Sequence, residues 1–136
     1  MTTENGKTYT TEGYEDLLRP TAVAHVATIG PKGEPQVNPV WFDPGERVKI
    51  SQTKTRQKYK NVGRDPHIAL PIVDPKNHPR YIEIRGEVVR VEEDPNIDFI
   101  SSMAKKYLGA ARYPNHQRGD ERIVLHVEPR PTTQMG

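Results

Sequence analysis

The sequence predicts a mainly β protein, six antiparallel strands curled into a small barrel with two or three short helices. Three observations carry this. Several short runs place apolar or β-branched residues at every second position, the period of a half-buried strand. Glycine- and proline-rich turns separate them, spaced for hairpins and meanders rather than crossovers. The alternating βαβα order of a dinucleotide fold is missing, and so is its glycine-rich fingerprint. Curling into a barrel is how such a sheet removes its exposed edges, and a sandwich is the alternative.

The elements follow in chain order. Residues 1–12 are polar and read as a loose N-terminal segment, with one domain over 13–136. Tyr14 to Leu18 suit a short helical turn that Pro20 ends. Ala22–Ile29 and Pro35–Phe42 form a hairpin across Gly30-Pro31-Lys32-Gly33, and Arg47–Thr53 follows as the third strand of a meander. Residues 54–63 carry Tyr59 and Val62 at helical spacing, closed by Arg64-Asp65-Pro66. His67–Val73 and Tyr81–Glu92 are two further strands around the loop Asp74–Pro79, with a bulge at Gly86. Asp94 as N-cap and Pro95 at the first helical position open a helix that shows Ile97, Ile100, Ala104 and Leu108 on one face and stops at Gly109. Ala110–Asp120 reads as loop and Ile123–Val127 as the last strand, with Pro129 and Pro131 excluding the tail from regular sheet.

Composition narrows the chemistry. The absence of cysteine removes disulfides, thiolate nucleophiles, iron–sulfur clusters and cysteine zinc sites. Any redox chemistry must therefore be borrowed from a cofactor. Hydrophobic residues make up only 33%, a thin core for 136 residues, which favours an oligomer or a bound group that buries more surface. No basic leader and no long apolar run is present, so a cytoplasmic protein without membrane partners is expected.

The chemistry concentrates between residues 51 and 64. Lys54, Arg56, Lys58, Lys60 and Arg64 fall within eleven positions without an acid, in a chain whose net charge is only +2. Basic side chains in a helix's first turn oppose its dipole by about 0.3–1 kcal/mol each, a cost that a bound anion offsets. The hydroxyls of Ser51, Thr53 and Thr55, free N–H groups at the helix start and a bidentate Arg56 together suit a phosphate. On composition alone a solvated basic face explains the run equally well.

Pro39 breaks the ladder within Pro35–Phe42, leaving an edge or backbone free for another partner such as a ring cofactor. Trp41, the single tryptophan, fits that border or the core equally. His25, His67, His78, His116 and His126 lack ligand spacing, so no metal site is expected, and His25 and His126 read as core or interface residues. No serine sits in a nucleophile elbow, and Glu83 and Glu87 alternate with Arg85 and Arg90 as a paired outer sheet face. Catalysis by a side-chain acid or base is not indicated.

Taken as an ordered set, Ala24–Ile29, Gly33–Phe42, Thr55–Pro66 and Arg80–Gly86 resemble the pyridoxamine 5′-phosphate oxidase-like family over roughly residues 14–129. The tract Arg56–Pro66, with Tyr107-Leu108-Gly109 and Tyr113-Pro114, is similar to its branch using the deazaflavin coenzyme F420. The resemblance implies an FMN-binding-type split β-barrel, a homodimer with two cofactor sites between subunits, and hydride transfer from reduced F420 to an activated double bond or quinone-like small-molecule acceptor. It places the cofactor phosphate on Arg56 and Lys58 beside Ser51, and the ring along Val37, Asn38, Pro39, Val40 and Trp41. Thr53, Lys54, Asn61 and Arg80 match more loosely. An FMN-binding oxidase or carrier of the same fold is the alternative. A nucleic-acid-binding module is a distant third, because Tyr59 is the one aromatic within the basic run.

Overall fold

The computed structural model describes residues 12–18 and 22–135. The expectations for residues 1–11 and for Pro20 lie outside the described residues. Tyr14 precedes a short 3-10 turn, Glu15–Leu18, and six strands follow: β1 (Ala24–Ile29), β2 (Pro35–Val40), β3 (Val48–Thr53), β4 (His67–Val73), β5 (Tyr81–Glu93) and β6 (Arg122–Met135). Helix α1 (Gln57–Arg64) links β3 to β4, and α2 (Asp98–Leu108) lies between β5 and β6.

All strands pair antiparallel in the order β2-β1-β4-β5-β6-β3. The sheet curls into a split barrel whose inward faces carry the alternating apolar residues. Val26, Leu70, Ile72, Ile82, Ile84, Ile50 and Val127 are fully buried there, with Phe42 from the loop after β2. Ile97, Ile100 and Met103 of the α2 region form a second, smaller cluster with Trp41, Tyr107 and Tyr113.

The topology corrects the expected meander. β3 does not pair with β2: Asp43, in the loop after β2, bridges to Lys49, and β3 crosses to pair with β6 from Val48↔Val127 to Thr53↔Arg122. β2 and β3, consecutive in sequence, are therefore the two ends of the sheet, and the barrel is open between them.

The tail is also corrected. β6 runs on through Pro129 and Pro131 to Met135, paired with β5 as far as Tyr81. Because β3 covers β6 only as far as Val127, the prolines fall where one side of β6 has no strand to receive a ladder N–H. The bulge expected at Gly86 is present as a register shift between Ile84 and Gly86. A Cβ on Gly86 would lie 2.5 Å from the Glu128 carbonyl oxygen, so this crossing requires glycine.

Both helices start later than their sequences suggest. Arg56, with φ −77° and ψ 145°, is the extended residue before α1, and its N–H closes a turn onto Thr53 O at 3.1 Å. Before α2, Asp94 opens a turn whose last residue, Ile97, is left-handed at φ 52°. The Asp94 carboxylate still caps the helix, accepting from the N–H groups of Asp98 at 2.9 Å and Phe99 at 3.1 Å. Leu108 is exposed, and Met103 takes its place on the buried face. Histidine 25 is exposed on β1, whereas His126 is buried with its Nε2 2.9 Å from Glu92.

Candidate functional site

The gap between the sheet's two end strands opens into a cleft of about 590 Å³, a size that suits a small ligand. β2 lines one wall with Gln36, Asn38 and Val40, and β3 lines the other with Ser51 and Gln52. The floor comes from Thr55, Arg56, Gln57 and Lys58 at the start of α1. Ile100 and Met103 of α2 close the far side with Trp41, Tyr113 and Arg122.

Charge in this cleft is one-sided. It holds Arg56, Lys58 and Arg122, and none of the described lining residues is acidic. Lys58 is only 8% exposed and has no ion-pair or hydrogen-bond partner among the described residues. Its burial, reinforced by the charge of Arg56, lowers its pKa to about 8. A largely buried lysine beside the Arg56 guanidinium, with no carboxylate partner among the described residues, is costly to charge without an anion and favourable to charge with one.

The sequence-derived residues divide. Asn38, Pro39, Val40, Trp41, Ser51, Arg56 and Lys58 all line the cleft. Val37 does not: it is 56% exposed on the opposite face of β2. Thr53 is buried, its hydroxyl 3.2 Å from that of Thr55, which does reach the cleft. Lys54 turns away to Glu93 at 2.7 Å and Glu121 at 3.6 Å, bridges that raise its pKa. Asn61 is fully buried behind the floor. Its Nδ2 donates to Thr28 Oγ1 at 3.0 Å and Gln36 Oε1 at 3.1 Å, and its Oδ1 accepts from Gln57 at 2.8 Å and Arg64 at 3.0 Å. Asn61 thus fixes α1 to the wall rather than facing the cleft.

Arg80 stands elsewhere. It is held by Asp16 at 2.7 Å, Asp74 at 3.1 Å and the carbonyl of Gly13, with Tyr14 against its plane. Its positive charge is already neutralised, which removes the electrostatic reason to place a ligand there.

Beyond the aromatic tract, the structure adds Gln36, Gln57, Ile100, Met103 and Arg122. Gln36 was legible as the inward neighbour of Asn38 two positions on. Ile100 and Met103 were legible only as core. Arg122 carries no local signal, because it enters through the β3–β6 pairing opposite Thr53. The aromatic end is well braced: Trp41 stacks on Tyr107 at 5.1 Å and meets Tyr113 edge-on at 6.3 Å. The Tyr107 hydroxyl donates to Ala22 O and accepts from the Phe42 N–H at 3.2 Å. Burial pushes this phenol's pKa up, so it stays a donor at neutral pH.

The family model for pyridoxamine 5′-phosphate oxidase matches residues 10–136. The chain belongs to this family. Among solved structures, one called F420 reductase is 38% identical, with a TM-score of 0.79, over 89% of this chain and 96% of its own. A conserved hypothetical protein from Mycobacterium tuberculosis is 19% identical with a TM-score of 0.69, over 99% and 89%. The putative pyridoxamine 5′-phosphate oxidase of Listeria innocua is 18% identical with a TM-score of 0.66, over 90% and 95%. The last two share the fold. No curated protein sequence matches the chain. Among the described residues, no helix is long and apolar enough to cross a membrane, and no group of three or more His, Asp or Glu side chains could hold a metal ion.

Proposed function

We propose that this family member is a cytoplasmic F420-dependent reductase, which passes a hydride from the reduced deazaflavin to an electron-poor double bond or quinone-like small molecule. The observation that carries this reading is the cleft's surplus of cation: Lys58 largely buried beside Arg56, with no ion-pair partner for it and no carboxylate lining the cleft among the described residues. The 38% identity to a protein called F420 reductase supports the choice of cofactor. In this reading Arg56 and Lys58 hold the phosphate, with the Ser51 and Thr55 hydroxyls beside them. The ring lies along Asn38 to Trp41, against the apolar side chains of Ile100 and Met103. The cofactor supplies the hydride, and the protein supplies position and charge. No side-chain acid or base is assigned to the reaction.

Two chains pair in this reading. The outer faces of β1 and β2 set His25 opposite Pro39 and Ala27 opposite Val37, an exposed and largely apolar strip where a second copy would complete the thin core.

FMN is the second reading, because the same cradle answers to its phosphate. Nucleic acid is a third, weakened by Tyr59, which packs onto the barrel core instead of offering a stacking face. Titration with F420, FMN and a short single-stranded oligonucleotide at fixed salt separates the three. Micromolar binding of F420 alone is the expected result, with Arg56→Ala and Lys58→Ala each weaker by about 1.5–3 kcal/mol, the value of a charge-assisted hydrogen bond. Wild-type affinity in both variants would remove the site assignment.

A further inference from the structure

Arg122 is the cation of the cleft that the phosphate reading does not use. Its Nε is buried and has no hydrogen-bond partner among the described residues. Of its five N–H donors, one is committed: Nη1 donates to Ser51 Oγ at 3.3 Å. The guanidinium carbon lies 4.8 Å from the centre of the Tyr113 ring, and Tyr113 meets Trp41 edge-on. No carboxylate pairs with it among the described residues, because its neighbour Glu121 is turned to Lys54. One ring face and one hydroxyl therefore hold the guanidinium in a fixed orientation, with Nη2 uncommitted among the described residues.

Arg122 stands between the two ends of the cleft, its Nη1 on Ser51 at the margin of the phosphate cradle and its guanidinium over the Tyr113 ring. Arg56 and Lys58 flank the start of α1, and Arg56 is the cation whose charge bears on Lys58. Arg122 enters from β6, on the side where Trp41, Tyr113, Ile100 and Met103 make the wall aromatic and apolar. A ligand with its phosphate on α1 and a flat ring against Trp41 brings the ring's own polar edge towards Arg122. An arginine fork in such a setting matches a planar oxygen acceptor.

We propose that Arg122 is a recognition residue for the ring end of the ligand, donating to a carbonyl oxygen of a flavin-type heterocycle while Arg56 and Lys58 hold its phosphate. Ser51 and Tyr113 act as positioning residues for that fork. The inference rests on the cofactor reading above and goes further by assigning the ring, not only the phosphate, a charged partner.

Ligand fragments test it without turnover. Isothermal titration compares wild type, Arg122→Gln and Arg122→Lys with F420, with the phosphate-free ribityl deazaflavin, with FMN, with riboflavin and with inorganic phosphate. Melting curves establish that each variant is folded, and Arg122→Lys keeps the charge should Arg122→Gln fail to fold. The expected result is that both variants lose about tenfold or more in affinity for the whole cofactor and for its phosphate-free ring, while inorganic phosphate binds as in wild type. Loss for phosphate and cofactor with the ring fragment unchanged would place Arg122 in the phosphate cradle and overturn the inference. So would unchanged affinity for every ligand. If wild type binds neither cofactor, the cofactor reading falls and the inference with it; if wild type binds and the variants match it, the inference alone falls.

Discussion

Lys58 should make phosphate binding depend on pH in a range where few proteins respond. Its pKa of about 8 means that the free protein holds this ammonium about 90% charged at pH 7 and about 10% charged at pH 9. A bound phosphate draws the proton back, because the anion supplies the charge partner that the cleft lacks. Affinity should therefore fall about tenfold from pH 7 to pH 9, with close to one proton taken up per ligand at the upper end and about a tenth of one at the lower. The sign for the free protein is opposite. Between about 8 and the unfolded value of 10.5 the unfolded chain carries the proton and the folded chain does not, so stability rises with pH across that window. Isothermal titration in two buffers of different ionisation enthalpy measures both affinity and proton uptake. Lys58→Arg should abolish the slope while keeping a cation at the site, since a guanidinium does not titrate there. A flat wild-type profile without proton uptake would show that the ammonium is already solvated or paired, and the argument from its burial would fail.

Two other perturbations probe the frame of the site. Replacing Asn61 by Ala empties a node that satisfies Thr28, Gln36, Gln57 and Arg64 at once. We expect a loss of about 2–3 kcal/mol in urea unfolding together with weaker cofactor binding, and a loss under about 0.5 kcal/mol would refute the role of Asn61 as the fixture of α1. Gly86→Ala forces a methyl against the Glu128 carbonyl, 2.5 Å away, and should cost about 2–3 kcal/mol with the cleft's intrinsic affinity unchanged. A melting temperature equal to wild type would show that the bulge relaxes freely.

Local pattern made all six strands legible, the last of them short of its tail, and the basic run with them, because alternation, turn residues and an acid-free stretch are properties of neighbours in sequence. Partner choice is a property of the whole sheet. Nothing near Val48 says that β3 pairs with β6 rather than β2, and that choice creates the cleft. The same limit applies to Arg122, more than 60 positions from Lys58 and Arg56 and brought to the cleft by strand pairing. Proline misled for a related reason: Pro129 and Pro131 stop a strand only where both of its sides need ladder donors, and here one side is open. Lys54 and Arg80 illustrate a different gap. Their charges read as available for a ligand, but Glu93 and Glu121 in one case, and Asp16 and Asp74 in the other, had claimed them first. Asp94 was recognised as a cap, and its reach of four residues to the Asp98 N–H was hidden by the left-handed Ile97 between them.

The lone indole of Trp41 is seated where the cleft, the Tyr107 ring and the α2 cluster meet. Its emission therefore arises from a single environment, and a ligand ring settling beside it would quench that light by energy transfer and contact. The chain thus carries an optical gauge of its own occupancy, and α2 pulling away from the barrel would change the same signal.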